Sequence, residues 1–121
     1  MVDLEVKEGN LVLHVRGADK FWALKSTLEI PLHHIAGVRA DPKIARGWWH
    51  GIKLIGTDLP GVLWAGTFYQ HGKRIFWDVH QPENTIVIEL RDERYGELIV
   101  EVADVAAAVQ LIQTNTVGTT G

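Results

Sequence analysis

Alternation of apolar and polar residues is clearest from Leu63 to His80, where it predicts one long β-hairpin. A two-residue turn at His71-Gly72 places Gln70 opposite Lys73 and thereby fixes every pairing farther from the turn. One predicted face carries Trp64, Gly66 and Phe68 opposite Val79, Trp77 and Ile75. The other carries Leu63, Ala65, Thr67 and Tyr69 opposite His80, Asp78, Phe76 and Arg74. A shift of one residue would exchange the two faces, so the pattern specifies this register strongly.

Shorter alternating segments predict strands on both sides of this hairpin. A two-residue turn at Glu8-Gly9 would pair Val6 with Leu11 and form a first hairpin. Further strands are predicted over residues 26–32, 36–40, 52–56, 86–90 and 98–102. Pro31 lacks an N–H group, so it should mark a strand end or a sheet edge. The apolar spacing of Leu32 and Ile35 predicts a single helical turn between two of these strands.

The hydrophobic period changes after Asp104, the predicted N-cap of a C-terminal helix. The apolar face of this helix contains Val105, Ala108, Val109 and Ile112. We therefore expect a single domain over residues 1–113 and a flexible tail over 114–121, which has no apolar set to bury. Many strands followed by one amphipathic helix predict a small β-barrel whose open end the helix covers.

Three segments resemble a known family. They are Leu28–Leu32 with Ile35 and Val38, then Ala65–Phe68 with Gly72 and Phe76–Val79, and finally Tyr95-Gly96 with Leu98–Val102. In these segments the chain is similar to the bacterial pleckstrin-homology-like (PH-like) domains, a family of uncharacterised proteins. The resemblance extends from Leu11 to Gln113.

The resemblance implies a mainly β fold with about seven antiparallel strands in two near-orthogonal sheets, capped by one C-terminal α-helix. It implies no enzymatic activity. It implies instead a binding or assembly module, and several relatives are thought to form homo-oligomers. Family members that bind phosphoinositides use basic residues around the first hairpin turn. The corresponding segment, Lys7 to Asn10, has one Lys and one Glu, so we do not extend lipid-headgroup binding to this chain.

Composition narrows the function classes. Twelve Lys and Arg against fifteen Asp and Glu give a formal charge of -3, which argues against a dedicated nucleic-acid-binding protein. Absence of cysteine excludes disulfides, thiolate catalysis and cysteine-ligated metals. No apolar run approaches the roughly 20 residues of a transmembrane helix, and residues 1–9 lack the apolar core of a signal peptide. These features predict a cytoplasmic chain.

Catalytic and metal-binding patterns are also missing from the sequence. Ser26 is the only serine and lies in no G-x-S-x-G elbow. Six histidines are present, but none has the spacing to a second ligand that metal sites use. Glu97 and Glu101 fall on one side of a strand and are expected to face solvent. We therefore predict no catalytic residue, cofactor or bound metal.

Two surfaces are candidates for binding. The leading one is the predicted outer face of the long hairpin, where self-association or another protein contact would use Leu63, Tyr69, Arg74, Phe76 and Asp78. The alternative is a loop that could bind a small molecule or lipid, or touch a membrane surface. Its residues are Arg46, Trp48, Trp49, His50 and Lys53. One or both tryptophans could instead fold back over the barrel mouth as core.

Overall fold

The structure, a computed structural model, describes residues 2–16, 27–43, 64–70, 72–79 and 81–120, with the backbone alone given at 64–70, 82 and 117–120. This part of the chain is mainly β and ends in one long helix. The strands are β1 (Val2–Lys7), β2 (Asn10–Val15), β3 (Thr27–Pro31), β4 (Ile35–Ala40), β5 (Trp64–Gln70), β6 (Lys73–Val79), β7 (Thr85–Leu90) and β8 (Glu97–Glu101). The helix α1 spans Val105–Thr120, and 3-10 turns occupy Leu32–His34 and Pro82–Asn84.

The first sheet has the order β1-β2-β3 and is antiparallel throughout. Val6 lies opposite Leu11, so the predicted first hairpin and its register are confirmed. Glu8 and Gly9 both have positive φ, 53° and 80°, as a two-residue type I′ turn requires. Pro31 is the last residue of β3, which confirms its expected place at a strand end.

The second sheet has the order β4-β7-β8-β6-β5. Gly66 lies opposite Trp77 and Gln70 opposite Lys73, so the predicted register of the long hairpin is confirmed. However, β8 runs parallel to β6, with Ile99 opposite Trp77. The expectation of antiparallel pairing throughout is therefore wrong at this pair. β8 follows β7 in an antiparallel hairpin and lies between β7 and β6 in the sheet. Its chain runs in the same direction as that of β6.

Eight described strands replace the seven or so expected, and no described strand of one sheet pairs with a strand of the other. The strand predicted over 52–56 lies outside the described residues. Apolar side chains from both sheets and α1 form one shared core, so the sheets are joined by packing. Its most deeply buried members include Leu11, Leu13, Phe76, Ile86, Ile88, Leu98, Val100 and Ile112.

Helix α1 begins where the sequence predicts. The Asp104 carboxylate accepts a hydrogen bond from the Ala107 N–H at 3.0 Å, so its expected role as N-cap is confirmed. Ala108 and Ile112 are buried in the core, and Val105 and Val109 pack against it from the same helical face. The amphipathic face therefore holds α1 against β4, β7 and the 3-10 turn at Leu32–His34.

The helix ends later than expected. Residues 114–120, predicted as a flexible tail, continue α1 to Thr120. The Asn115 amide donates to the Leu111 carbonyl at 2.7 Å, and the Thr116 hydroxyl donates to the Ile112 carbonyl at 2.9 Å. Once a helix has been nucleated, each added residue gains one main-chain hydrogen bond, so a segment with nothing to bury can still extend it.

Replacing Asp104 tests the start of α1. Asp104→Ala should lower the free energy of unfolding by about 1 kcal/mol, because the Ala107 N–H loses its acceptor. Asp104→Asn is the matched control, since asparagine caps helices about as well as aspartate. Urea denaturation of the three proteins gives the comparison. An equal loss in both variants would show that the carboxylate acts through its charge and not as a cap.

Candidate functional site

The predicted hairpin surface does not lie on the outside of the protein. Phe76 and Asp78 both have 0% exposed surface. Phe76 lies opposite Leu98 of β8, within the shared core, and its ring packs edge-on against that of Tyr95 with the ring centroids 5.8 Å apart. The expectation that this face is wet is therefore wrong, and Phe76 and Asp78 are not available for contact with a partner.

The physical reason is the position of β6 in its sheet. β6 lies between β5 and β8, and its other face, with Ile75, Trp77 and Val79, is buried as well. Alternation along a hairpin shows that two faces exist, but a strand covered on both sides carries apolar residues on each. On the face that contains Phe76, the polar residues Arg74 and Asp78 flank the ring, and the sequence of this face therefore resembles that of a solvated one.

The remaining predicted site residues are only partly described. Arg74 is half-buried and lies opposite Tyr69, for which the backbone alone is given. Leu63 lies outside the described residues. So do all five residues of the alternative ligand-binding loop, namely Arg46, Trp48, Trp49, His50 and Lys53. That loop stays a prediction from the sequence.

Two other polar side chains, Glu101 and His34, are held by hydrogen bonds. Glu101, expected on a solvated face with Glu97, is buried, and its carboxylate accepts a hydrogen bond from the Gln81 N–H at 3.3 Å. The His34 imidazole of the 3-10 turn at Leu32–His34 forms a hydrogen bond with the Glu93 carboxylate. The Arg91 N–H also donates to the His34 carbonyl at 2.8 Å. These bonds tie the 3-10 turn to the connection between β7 and β8.

Strand β1 forms one edge of the first sheet. In the first sheet β1 pairs with β2 alone, so its second side faces no described strand. Natural edge strands are protected by proline, by bulges or by charges that point inward. The edge strand β4 has a register shift between Ile35 and Gly37, and the edge strand β3 ends in Pro31. β1 has neither a proline nor a register shift, and its inward residues are Val2, Leu4 and Val6.

The turn geometry shows which main-chain groups this edge presents. In a type I′ hairpin the residues that flank the turn, here Lys7 and Asn10, exchange two hydrogen bonds. The N–H and C=O groups of alternate residues therefore point to opposite sides of the strand. Those of Leu4 and Val6 point to the open edge, and both side chains are only partly buried.

An apolar groove of about 200 Å³ lies beside this edge, between β1 and the start of α1. It is lined by Val2, Asp3, Leu4, Val102, Ala103, Asp104, Ala107, Ala108 and Leu111. Its two carboxylates are already engaged, because Asp3 pairs with Arg16 at 3.2 Å and Asp104 caps α1. The groove is large enough for an aliphatic side chain, and its lining favours one.

The outward face of β1 is charged. Asp3, Glu5 and Lys7 alternate along it, and the Glu5 carboxylate contacts the His14 imidazole at 3.0 Å. Lys7 is exposed and forms no ion pair within the described part of the chain. The edge therefore combines main-chain groups that have no partner among the described residues, an apolar groove on one face and, on the other, a lysine with no ion pair to those residues.

The buried position of Phe76 predicts a large effect of truncation. Phe76→Ala should lower the free energy of unfolding by about 3–5 kcal/mol, because it leaves a cavity in the shared core. Phe76→Leu should cost less, since an aliphatic side chain still fills most of that volume. Urea denaturation measures both. A loss below about 0.5 kcal/mol for Phe76→Ala would instead indicate an exposed side chain.

Comparison with family models, with curated proteins and with solved structures finds no match to this chain. In the part of the chain that the structure describes, no helix is long and apolar enough to cross a membrane. Within the same residues, no three His, Asp or Glu side chains come together as ligands for a metal ion. The candidate site is therefore the edge of β1 with its adjoining groove, defined by this chain's own residues.

Proposed function

We propose that this chain is a non-catalytic, PH-like binding and assembly module that acts through protein contacts, including self-association. The observation that carries the proposal is the open edge of β1 beside an apolar groove. The sequence resemblance to bacterial PH-like domains points to the same class of function. Burial of Phe76 and Asp78 removes the hairpin face as the contact surface, so the edge of β1 takes that role.

Strand addition is the contact that this edge favours. An extended segment that pairs with an exposed edge gains main-chain hydrogen bonds, and its alternate side chains enter pockets beside the edge. Leu4 and Val6 supply the main-chain groups, and the groove supplies the pocket. An unprotected edge of this kind is a liability in a chain that stays alone, because it can pair with any extended segment.

The lining of the groove favours binding over chemistry. Its described side chains are aliphatic except for the carboxylates of Asp3 and Asp104. Asp3 is held by Arg16, and Asp104 is held by the helix N-terminus. Within the described residues, no hydrogen bond joins these two carboxylates. The groove therefore offers shape and apolar surface to a partner.

Filling the groove tests this function. Ala107 and Ala106 are adjacent exposed residues of α1, but only Ala107 lines the groove. Ala107→Trp should weaken self-association at least tenfold, because the indole occupies the space that a partner's side chain needs. Ala106→Trp is the matched control and should leave it unchanged. Sedimentation velocity across a concentration series measures the association, and circular dichroism checks that both variants fold.

Either of two results would contradict the proposal. If the wild-type protein stayed monomeric at millimolar concentration, the proposed self-association would be wrong. If Ala106→Trp and Ala107→Trp weakened self-association equally, the contact would involve the helix surface in general and not the groove.

A further inference from the structure

We infer that the strand added to β1 is β1 of a second copy of this chain, paired antiparallel about a two-fold axis that passes through Glu5. This inference rests on the proposed function and names its partner and register. The two first sheets then join into one continuous sheet across the axis. The evidence is the self-complementary order of charges along Val2–Lys7.

Only a few registers are possible for two identical antiparallel strands. Residues that lie directly opposite must share a face of the sheet, so the axis passes through a residue and not between two. With the axis at Glu5, Asp3 of each copy faces Lys7 of the other. With the axis at Leu4, Asp3 faces Glu5 twice, which places like charges in contact. With the axis at Val6, Glu5 faces Lys7, but the Glu8-Gly9 turn cuts the overlap short.

The axis at Glu5 also uses the right main-chain groups. It sets Leu4 of one copy opposite Val6 of the other, and these two residues present their N–H and C=O groups at the open edge. Each Leu4–Val6 pair can then exchange two hydrogen bonds. The Val6 side chain of the second copy lies beside Leu4, which lines the groove, and covers apolar surface that one chain leaves exposed.

Charges along β1 favour the same register through two ion pairs and oppose it through one like-charge contact. Lys7, which has no ion pair within the described part of one chain, gains the Asp3 carboxylate of the second copy, whose half-exposed side chain then contacts Lys7 as well as its own Arg16. Two such pairs form, one on each side of the axis. A single unfavourable contact remains at the axis, where Glu5 meets Glu5. In each chain the Glu5 carboxylate also lies 3.0 Å from the His14 imidazole, a hydrogen-bond partner on the same face of the sheet.

Complementary charge reversal tests the register. Lys7→Glu alone places acidic groups opposite Asp3, and Asp3→Lys alone places two lysines together. Each variant by itself should dimerise roughly tenfold to a hundredfold more weakly than wild type. A mixture of the two should recover the association, because every pair across the axis is then of opposite charge. Arg94→Glu, an exposed site in the turn between β7 and β8, makes the same change in net charge and should have no effect.

The position of the axis has its own test. Glu5→Gln removes the like-charge contact and should tighten the dimer by about twofold to fivefold, whereas an axis at Val6, which places Glu5 opposite Lys7, predicts that the same change weakens it. Sedimentation velocity measures the homodimers, and native mass spectrometry of the mixture counts the mixed species. Circular dichroism confirms that the variants fold.

The outcomes separate the two proposals. A wild-type oligomer that persists unchanged in Lys7→Glu would overturn β1 pairing and leave self-association standing. Weakening in both single variants without recovery in the mixture would overturn the register. A wild-type chain that is monomeric at millimolar concentration would overturn self-association and the β1 pairing with it. Binding of a foreign extended peptide to such a monomer would assign the groove to another protein.

Discussion

The arrangement of this fold depends on the insertion of β8 between β7 and β6. β8 pairs antiparallel with β7 and parallel with β6, and each of Leu98, Ile99 and Val100 is fully buried. A strand with two partners and two covered faces has no freedom of register, so it fixes its neighbours. Phe76 is carried into the core opposite Leu98, and β5 is moved to the edge of the sheet. The first sheet and α1 then close over the face that contains Leu98 and Val100.

Local features were predictable because local rules determine them. The turn residues Glu8-Gly9 fix the first hairpin, and the register of the long hairpin follows from a two-residue turn in the same way. The cap at Asp104 and the helical face at Ala108 and Ile112 are also readable from sequence. The insertion of β8 was not, because its partner β6 lies more than fifteen residues away, and no turn chemistry encodes that pairing.

The error over Phe76 has the same origin. Alternation along Lys73–Val79 separates two faces, but only the order of strands in the sheet shows that both are covered. The edge of β1 could not be predicted as the candidate site either, because that too requires the order of the strands in the sheet. Nothing in the first hairpin alone shows that β1, and not β2, lies at an edge. One signal was present in the sequence, since Asp3 and Lys7 are placed symmetrically about Glu5 on the outward face of β1.

A dimer formed by edge pairing stays a dimer only if its remaining sheet edges resist the addition of further strands. Joining two copies through β1 leaves the two β3 strands as the new outer edges of the combined first sheet. β3 ends in Pro31, which lacks the N–H that a further strand would need, and its outward residue Glu29 is already bound by the Asn10 amide at 2.7 Å. An isologous contact uses the same patch on both copies and so closes after one step. In the proposed dimer the charges on β1 would select one register, and the protected edge of β3 would limit the assembly to two chains.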